Sequence, residues 1–331
     1  LVPRLLEQGY RVRLLDMFVF GEGSLGGVFD HPNLEIVRGD FRHVEKVVAA
    51  MQDMQSVIHL GAIVGDPACN LDESLTIDVN LSATRMIAEL AKAAGVDRFI
   101  FASTCSVYGA CDEMLDERSV VQPISLYGHT KLASEKILLA MKSDNFAPII
   151  VRFATIYGLS GRTRFDLVVN LLAAKAKLDG EITVFGGDQW RPFVHVDDAA
   201  YAVSLALGAP TKLVSGEIFN VGSNEQNYTI NQIGEIVQEM VISATLQINS
   251  NDGDRRNYRV DFTKIHNLLG FKPNWTVRMG IEQVLEAIAS GEVTDYRDVE
   301  YSNVGYLTRH GTDRLERDQW ARDLIQSLQA Q

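Results

Sequence analysis

The chain is 331 residues long, 46% hydrophobic and 22% charged, with a formal net charge of −12. That length suits one large α/β domain with a smaller second lobe, and the acidic balance excludes nucleic acid, whose phosphates need clustered Lys and Arg. No apolar run approaches the ~20 residues that span a bilayer, and an odd count of 3 cysteines fits a reducing cytoplasm better than a disulfide framework.

Leu1–Gly9 (LVPRLLEQG) reads as the body of an amphipathic helix ending at a Gly C-cap, with no start signal before it. It lacks the basic region and apolar core of a signal peptide. The expectation is that the sequence opens inside an element. Short apolar runs then alternate with helical patterns, the signature of βαβ units and a parallel sheet. Strands are expected at 11–16, 34–37, 56–60, 98–102 and 149–152, with helices at 44–51, 78–94 and 126–141. Right-handed crossovers make this a doubly wound parallel sheet, which binds ligands beyond the carboxyl ends of its strands. After Thr155 the pattern loosens into helices at 165–178, 197–207, 230–241 and 276–288. Short strands fall at 182–185, 193–196 and 217–221, and some of these segments are expected to return to the first sheet. The tail after Gly291 is polar, charged and without an assigned role.

Asp16 closes the first of these strands, where a carboxylate accepts hydrogen bonds from adenosine ribose hydroxyls and repels a 2′-phosphate, favouring NAD over NADP. Asp40, in Gly39-Asp40-Phe41 after the next strand, is placed to hold an adenine amino group. Leu60-Gly61-Ala62 ends a strand in small residues that let backbone approach a ligand. His59 beside them reads as a packed strand residue, not a catalyst. Asn80, inside a helix, is placed to turn inward onto a backbone group. The stronger pattern is Ser103-Thr104-Cys105-Ser106 after a strand, followed by Tyr127-Gly128-His129-Thr130-Lys131. Tyr127 and Lys131 are i and i+4 on a helix and share a face. The ammonium is expected to lower the phenol's pKa toward neutrality. Such a tyrosine exchanges a proton with a sugar hydroxyl, and Thr104 orients that hydroxyl. The competing reading, a surface pair at a spacing common by chance, weakens because the pair follows Ser103-Thr104 on the cofactor side.

These residues resemble the extended short-chain dehydrogenase/reductase superfamily, in its NAD-dependent epimerase/dehydratase family, and are UDP-glucose 4-epimerase-like. The resemblance runs from Leu1 to about Ile288 through LLEQGYRVRLLD, GDFR, VIHLGA, FASTCSVYG, YGHTK, RFATIYG, FGGDQWRPFVHVDDAA and VDFTKIHNLLGFKP. It implies a Rossmann-like α/β fold: an NAD-binding domain over 1–155, a mixed α/β substrate lobe over 156–290, and a tail over 291–331. Tyr127, Lys131 and Thr104 are implied as catalytic. Asp16, Asp40, Phe41, Leu60, Gly61, Ala62, Asn80 and Ser103 are implied around NAD, together with Tyr127 and Lys131. Arg191 and Arg256 are implied to face the diphosphate of a nucleotide sugar, beside Thr104, with Arg255 a weaker candidate. His195 and Asp197 read as structural, Asp197 as a helix cap. A homodimer through the helices at 78–94 and 126–141 is also implied; no metal, membrane or nucleic-acid partner is.

Three departures bear on the reaction. The family's opening strand and Gly-x-x-Gly-x-x-Gly loop, which hold the cofactor pyrophosphate, have no counterpart before Leu1. Cys105-Ser106 stands where 4,6-dehydratases carry Asp-Glu, so dehydration is disfavoured. Ala154 replaces a common Asn, and Ser250-Asn251 stand where an Arg is often found. The leading expectation is epimerisation at C4 through a 4-keto intermediate. A nucleotide-sugar 4-dehydrogenase or ketoreductase would use the same residues, and a catalytically silent dinucleotide-binding protein would have no need of the Tyr127–Lys131 pair.

Overall fold

The computed structural model describes residues 1–249 and 257–312, with Leu315, Ile325 and Leu328 beyond them. Its centre is a four-stranded parallel sheet in the order Ile218–Val221, Ala147–Phe153, Arg98–Thr104, Ser56–His59. A parallel pair, Val12–Asp16 with Leu34–Arg38, lies beside it. Alternation along Arg98–Thr104 sends its side chains to opposite faces. Phe99 and Phe101 point one way, into a core shared with Val47, Ile87, Ala88 and Leu138. Ile100 points the other way, toward Ala199, Ala202 and Val203. Helices Val44–Met51, Ala83–Ala93 and Leu126–Ala140 cover the first face, and Val196–Gly208 covers the second. Full burial of Phe99 and Phe101 contributes about 1.5–3 kcal/mol each. The architecture is the α/β, doubly wound parallel sheet of the expectation.

The second lobe is mixed. Trp190–His195 pairs in parallel with Thr155–Tyr157 and antiparallel with Asn227–Thr229. Glu181–Phe185 pairs in parallel with Thr245–Asn249. Helices Val168–Asp179, Ile230–Met240 and Val277–Ala289 enclose its core around Phe193, Ile182 and Ile281. Ile218–Val221, although later in the chain, belongs to the first sheet.

Several local expectations need correction. The helix expected over 78–94 is divided into Glu73–Ile77, a π turn at Asp78–Ser82 and Ala83–Ala93. Asn80 sits in that π turn and bonds the backbone of Ile63 with both ends of its amide, at 2.8 and 2.9 Å. Such wide turns are a recognised way to re-aim a side chain. The strand expected at 193–196 begins at Trp190 and ends at His195. His195, not Asp197, caps the next helix: its Nδ1 accepts from the Asp197 amide at 3.2 Å. The tail contains a helix, Asn303–His310. Leu307 and Leu315 pack into a cluster with Ile63, Ala68, Cys69 and Val79, and the Tyr306 hydroxyl donates to the Val19 carbonyl at 2.7 Å. Among the described residues no helix is long and apolar enough to cross a membrane.

Gly158 directly follows the second-lobe strand Thr155–Tyr157 at φ +94°, and a Cβ there would stand 2.0 Å from His195 Nε2. That ring cannot give way, because it stacks on Trp275 at 3.9 Å and meets Gln283 Oε1 at 3.0 Å. Gly158→Ala is expected to destabilise the protein by about 3 kcal/mol, measured by urea unfolding. A change within about 0.5 kcal/mol, the range of ordinary surface substitutions, would contradict this packing.

Candidate active site

Helix Leu126–Ala140 starts at Ser125, whose hydroxyl accepts from the Gly128 amide. It presents Tyr127, Lys131 and Glu135 as an i, i+4, i+8 stripe toward Arg98–Thr104. Lys131 Nζ donates to the Ala102 carbonyl at 2.8 Å. Glu135 takes the Ser103 hydroxyl on Oε1 and closes a two-point ion pair with Arg152 at 2.9 and 2.6 Å. Arg152 Nη1 meets the Tyr108 hydroxyl at 3.1 Å, which bonds Asn220 Oδ1 at 2.8 Å. Glu135 and Arg152 are both buried. This network fixes the helix on the sheet, and so fixes where Tyr127 stands.

Thr104 ends its strand buried, its Oγ1 accepting from the Ser106 amide at 3.1 Å. Its side chain is also near enough to the Tyr127 phenol to favour the phenolate. Burial raises the Tyr127 pKa above the usual phenol value, and nearby Cys69 and Asp66 add to this; Arg164 and Thr104 act the other way. Lys131 Nζ stands 6.0 Å from the ring centroid. The expected lowering of Tyr127 by Lys131 is therefore corrected: desolvation outweighs the favourable charges. Lys131 itself is pushed down to about 8 by burial. Arg164, a cation that favours phenolate here, does not stand out in the sequence. It is held by two bonds of 2.9 Å to Asp166, and its only sequence trace is the spacing Arg-x-Asp.

Cys105 is fully buried, donates to the Arg152 carbonyl at 3.3 Å, and has its pKa raised by desolvation. No carboxylic acid replaces it on this turn. His59 is packed, as expected: buried among Phe41, Phe99 and Phe101, 3.0 Å from Thr84 Oγ1, and pushed down to about 3 by burial.

Asp16, Asp40, Phe41, Leu60, Gly61 and Ala62 all line one cavity of about 1370 Å³, which lies between the Val12–Asp16 and Ser56–His59 strands. Asp16 Oδ1 accepts from the Phe18 amide at 2.6 Å, and the side chain is exposed at the strand end. Asp40 is less available than its sequence suggests. Arg42, the buried last residue of the GDFR motif, takes both its oxygens and reaches Asp78 at 3.1 Å. At Gly61 it is the Phe41 ring, not a ligand, that makes the close approach: a Cβ would meet Phe41 Cε1 at 2.5 Å. Asn80 and Ser103 are buried. Asn80 holds the Ile63 backbone and Ser103 holds Glu135, so both shape the site from behind the cavity wall.

Arg191 is buried, with Nη1 donating to the Trp190 carbonyl and Nη2 to Gln189 Oε1, each at 2.8 Å. Its guanidinium lies over the Tyr258 ring, and it does not line the large cavity. Arg256, like Arg255, Ser250 and Asn251, lies outside the described residues. No group of three or more metal-ligating side chains occurs among the described residues.

The profile of the NAD dependent epimerase/dehydratase family matches residues 1–222, and the chain belongs to that family of NAD-dependent enzymes. An uncharacterized UDP-glucose epimerase, YtcB, of Bacillus subtilis (strain 168) is 29% identical over 214 residues, 64% of this chain and 66% of that protein, just under two thirds of its length. UDP-glucuronate 4-epimerase of Thermodesulfobacterium geofontis is 28% identical over 247 residues, covering 72% of this chain and 74% of the relative. A solved UDP-glucuronic acid 4-epimerase from Bacillus cereus, in complex with UDP-glucuronic acid and NAD, superimposes with a TM-score of 0.78 at 27% identity. That match covers 87% of this chain and 94% of the other.

Glu135→Gln keeps the shape of the side chain but leaves the Arg152 charge unpaired in the core. It is expected to lower the unfolding free energy by about 3–5 kcal/mol, read from a urea transition. A loss below about 1 kcal/mol, the worth of an exposed pair, would show that the network does not hold the helix.

Proposed function

We propose that the protein is an NAD-dependent nucleotide-sugar 4-epimerase acting on a UDP-sugar. Residues 1–155 serve the cofactor, 156–290 serve the sugar nucleotide, and Tyr127 carries the proton. The observation that carries this reading is Thr104 placed beside Tyr127, one turn from a clamped Lys131 and next to a buried Cys105 that supplies no acid. The reversible oxidation of one carbinol centre needs a proton carrier and an orienting hydroxyl. Dehydration needs a carboxylic acid as well, and the Cys105-Ser106 turn has none.

The residues fit the cofactor. Lys131 keeps donors beyond its bond to Ala102, which suit ribose hydroxyls, and Asp16 stands exposed at its strand end for the adenosine ribose. Asp40, Phe41 and Leu60–Ala62 line the cavity together with Asp16 and are the proposed neighbours of the adenine and ribose. Oxidised NAD, when bound, supplies a hydride acceptor and a positive charge. Tyr127, whose pKa burial raises above the usual phenol value, then depends on the positive charge of the loaded site, beyond Arg164 and Thr104, to act as phenolate. Thr104 orients the C4 hydroxyl, and Tyr127 takes its proton as the 4-keto sugar forms. Tyr127 returns that proton once the ketone has turned its other face. Arg191 and Arg256 are the proposed partners of the sugar nucleotide's diphosphate.

A cytoplasmic homodimer completes the proposal. Cys69, Cys105 and Cys111 are free thiols, and helices Ala83–Ala93 and Leu126–Ala140 lie side by side, the pair expected at a four-helix interface. Light scattering on the eluting protein should give twice the chain mass; a monomer at micromolar concentration contradicts the dimer. For the chemistry, full-length protein with NAD should interconvert a UDP-sugar with its C4 epimer, UDP-glucuronate being the first to try. NADH absorbance should not rise beyond one equivalent of enzyme. Tyr127→Phe should lower kcat by about 10²–10⁴-fold without loss of folded structure. Sustained NADH accumulation would instead favour the 4-dehydrogenase, and an active Tyr127→Phe enzyme would remove Tyr127 from the mechanism.

A further inference from the structure

The proposed chemistry makes no use of Arg162, a cation of the large cavity. It lies in the segment after strand Thr155–Tyr157 and lines that cavity together with Asp16, Gly61 and Ala62. Its guanidinium sits 3.6 Å from the centroid of Phe20, in the segment that follows Asp16. Nη1 donates to Asn303 Oδ1 at 2.8 Å. Asn303 is itself fixed: its Nδ2 donates to the Val64 carbonyl at 3.1 Å and its amide to Asp166 Oδ2 at 3.1 Å. The neighbouring segments are pressed together, since a Cβ on Gly161 would meet Ser24 Cα at 2.6 Å. Arg162 is therefore held from three directions.

Its other terminus has no such partner. Nη2 is buried and makes no hydrogen bond among the described residues, and Arg162 forms no salt bridge among them. Arg164, the adjacent cation, spends its fork on Asp166. A guanidinium N–H removed from water without an acceptor is disfavoured. With Nη1 on Asn303, Nη2 is the terminus left for another acceptor, and on a side chain that lines the cavity a guanidinium N–H is suited to a phosphate oxygen.

We propose that Arg162 is a ligand to the diphosphate of the dinucleotide, with Phe20 and Asn303 as its positioning residues. This rests on the cofactor reading above. It also explains the placement of the C-terminal helix. Through Asn303 that helix joins the cofactor site, bridging the segments that follow the strands ending at Asp16 and His59.

Calorimetric titration of nucleotide-stripped, full-length protein with NADH, ADP-ribose, adenosine and UDP tests the assignment. Arg162→Gln should weaken NADH and ADP-ribose at least tenfold while leaving adenosine and UDP unchanged. Arg162→Lys, which keeps the charge and loses the fork, should fall between wild type and Gln. Asn303→Ala should weaken NADH in the same direction by a smaller factor. Unchanged NADH affinity in Arg162→Gln overturns the inference while leaving the cofactor reading intact. So does a loss confined to UDP, or an equal loss of adenosine in both Arg162 variants. Wild-type protein that binds no NADH overturns both.

Discussion

The site depends on a buried ion pair that never touches a ligand. Glu135 and Arg152 join the helix Leu126–Ala140 to the strand Ala147–Phe153, and Ser103 ties the same carboxylate to the central strand. Two charges out of water give little net stability by themselves, but removing either leaves the other unpaired. The arrangement therefore works as a register lock. With Glu135 fixed, Lys131 one turn earlier meets the Ala102 carbonyl, and Tyr127 one turn earlier again stands beside Thr104. Any slip of the helix along the sheet would break the Glu135 and Lys131 contacts together and carry Tyr127 away from Thr104.

Burial of that stripe sets its electrostatics too. The same desolvation that pushes Lys131 down to about 8 raises Tyr127. The phenol is thus held in its proton-bearing form, and under the proposed function its release depends on charges that arrive with ligands. Arg164, secured by Asp166, is the protein's own contribution to that balance. A tyrosine that ionises only in the loaded site is protected from acting before the sugar is in place.

Much of this is legible in the sequence because the periodicities are clean. The strands at 12–16, 34–38, 56–59 and 98–104 are short β-rich runs between turn signals, and Val44–Met51 shows the helical spacing from end to end. Tyr127, Lys131 and Thr104 stand out because a strand end and an i, i+4 pair can be read without tertiary contacts. What escapes a reading of the chain depends on distant partners. Glu135, Arg152 and Arg42 look like ordinary solvated charges until the fold brings 135 against 152 and 42 against 40 and 78. Ser103 looks like a cofactor ligand for the same reason, since nothing local announces Glu135. Arg162 and Asn303 are 141 positions apart, and no pattern in the chain links them. Spacing alone points the Tyr127 shift the wrong way, because charge proximity is visible in it and burial is not.

The central claim is that bond-making and bond-breaking are confined to one carbinol centre, with the proton passing through Tyr127 and the hydrogen on carbon never reaching solvent. Deuterium at C4 of the UDP-sugar substrate tests it most directly, with both epimers recovered and analysed by NMR after partial conversion in ordinary water. The account predicts that product and residual substrate keep the label at C4, with no exchange at C4 or C5. Loss of label to solvent from C4, or solvent hydrogen entering C5, would contradict it.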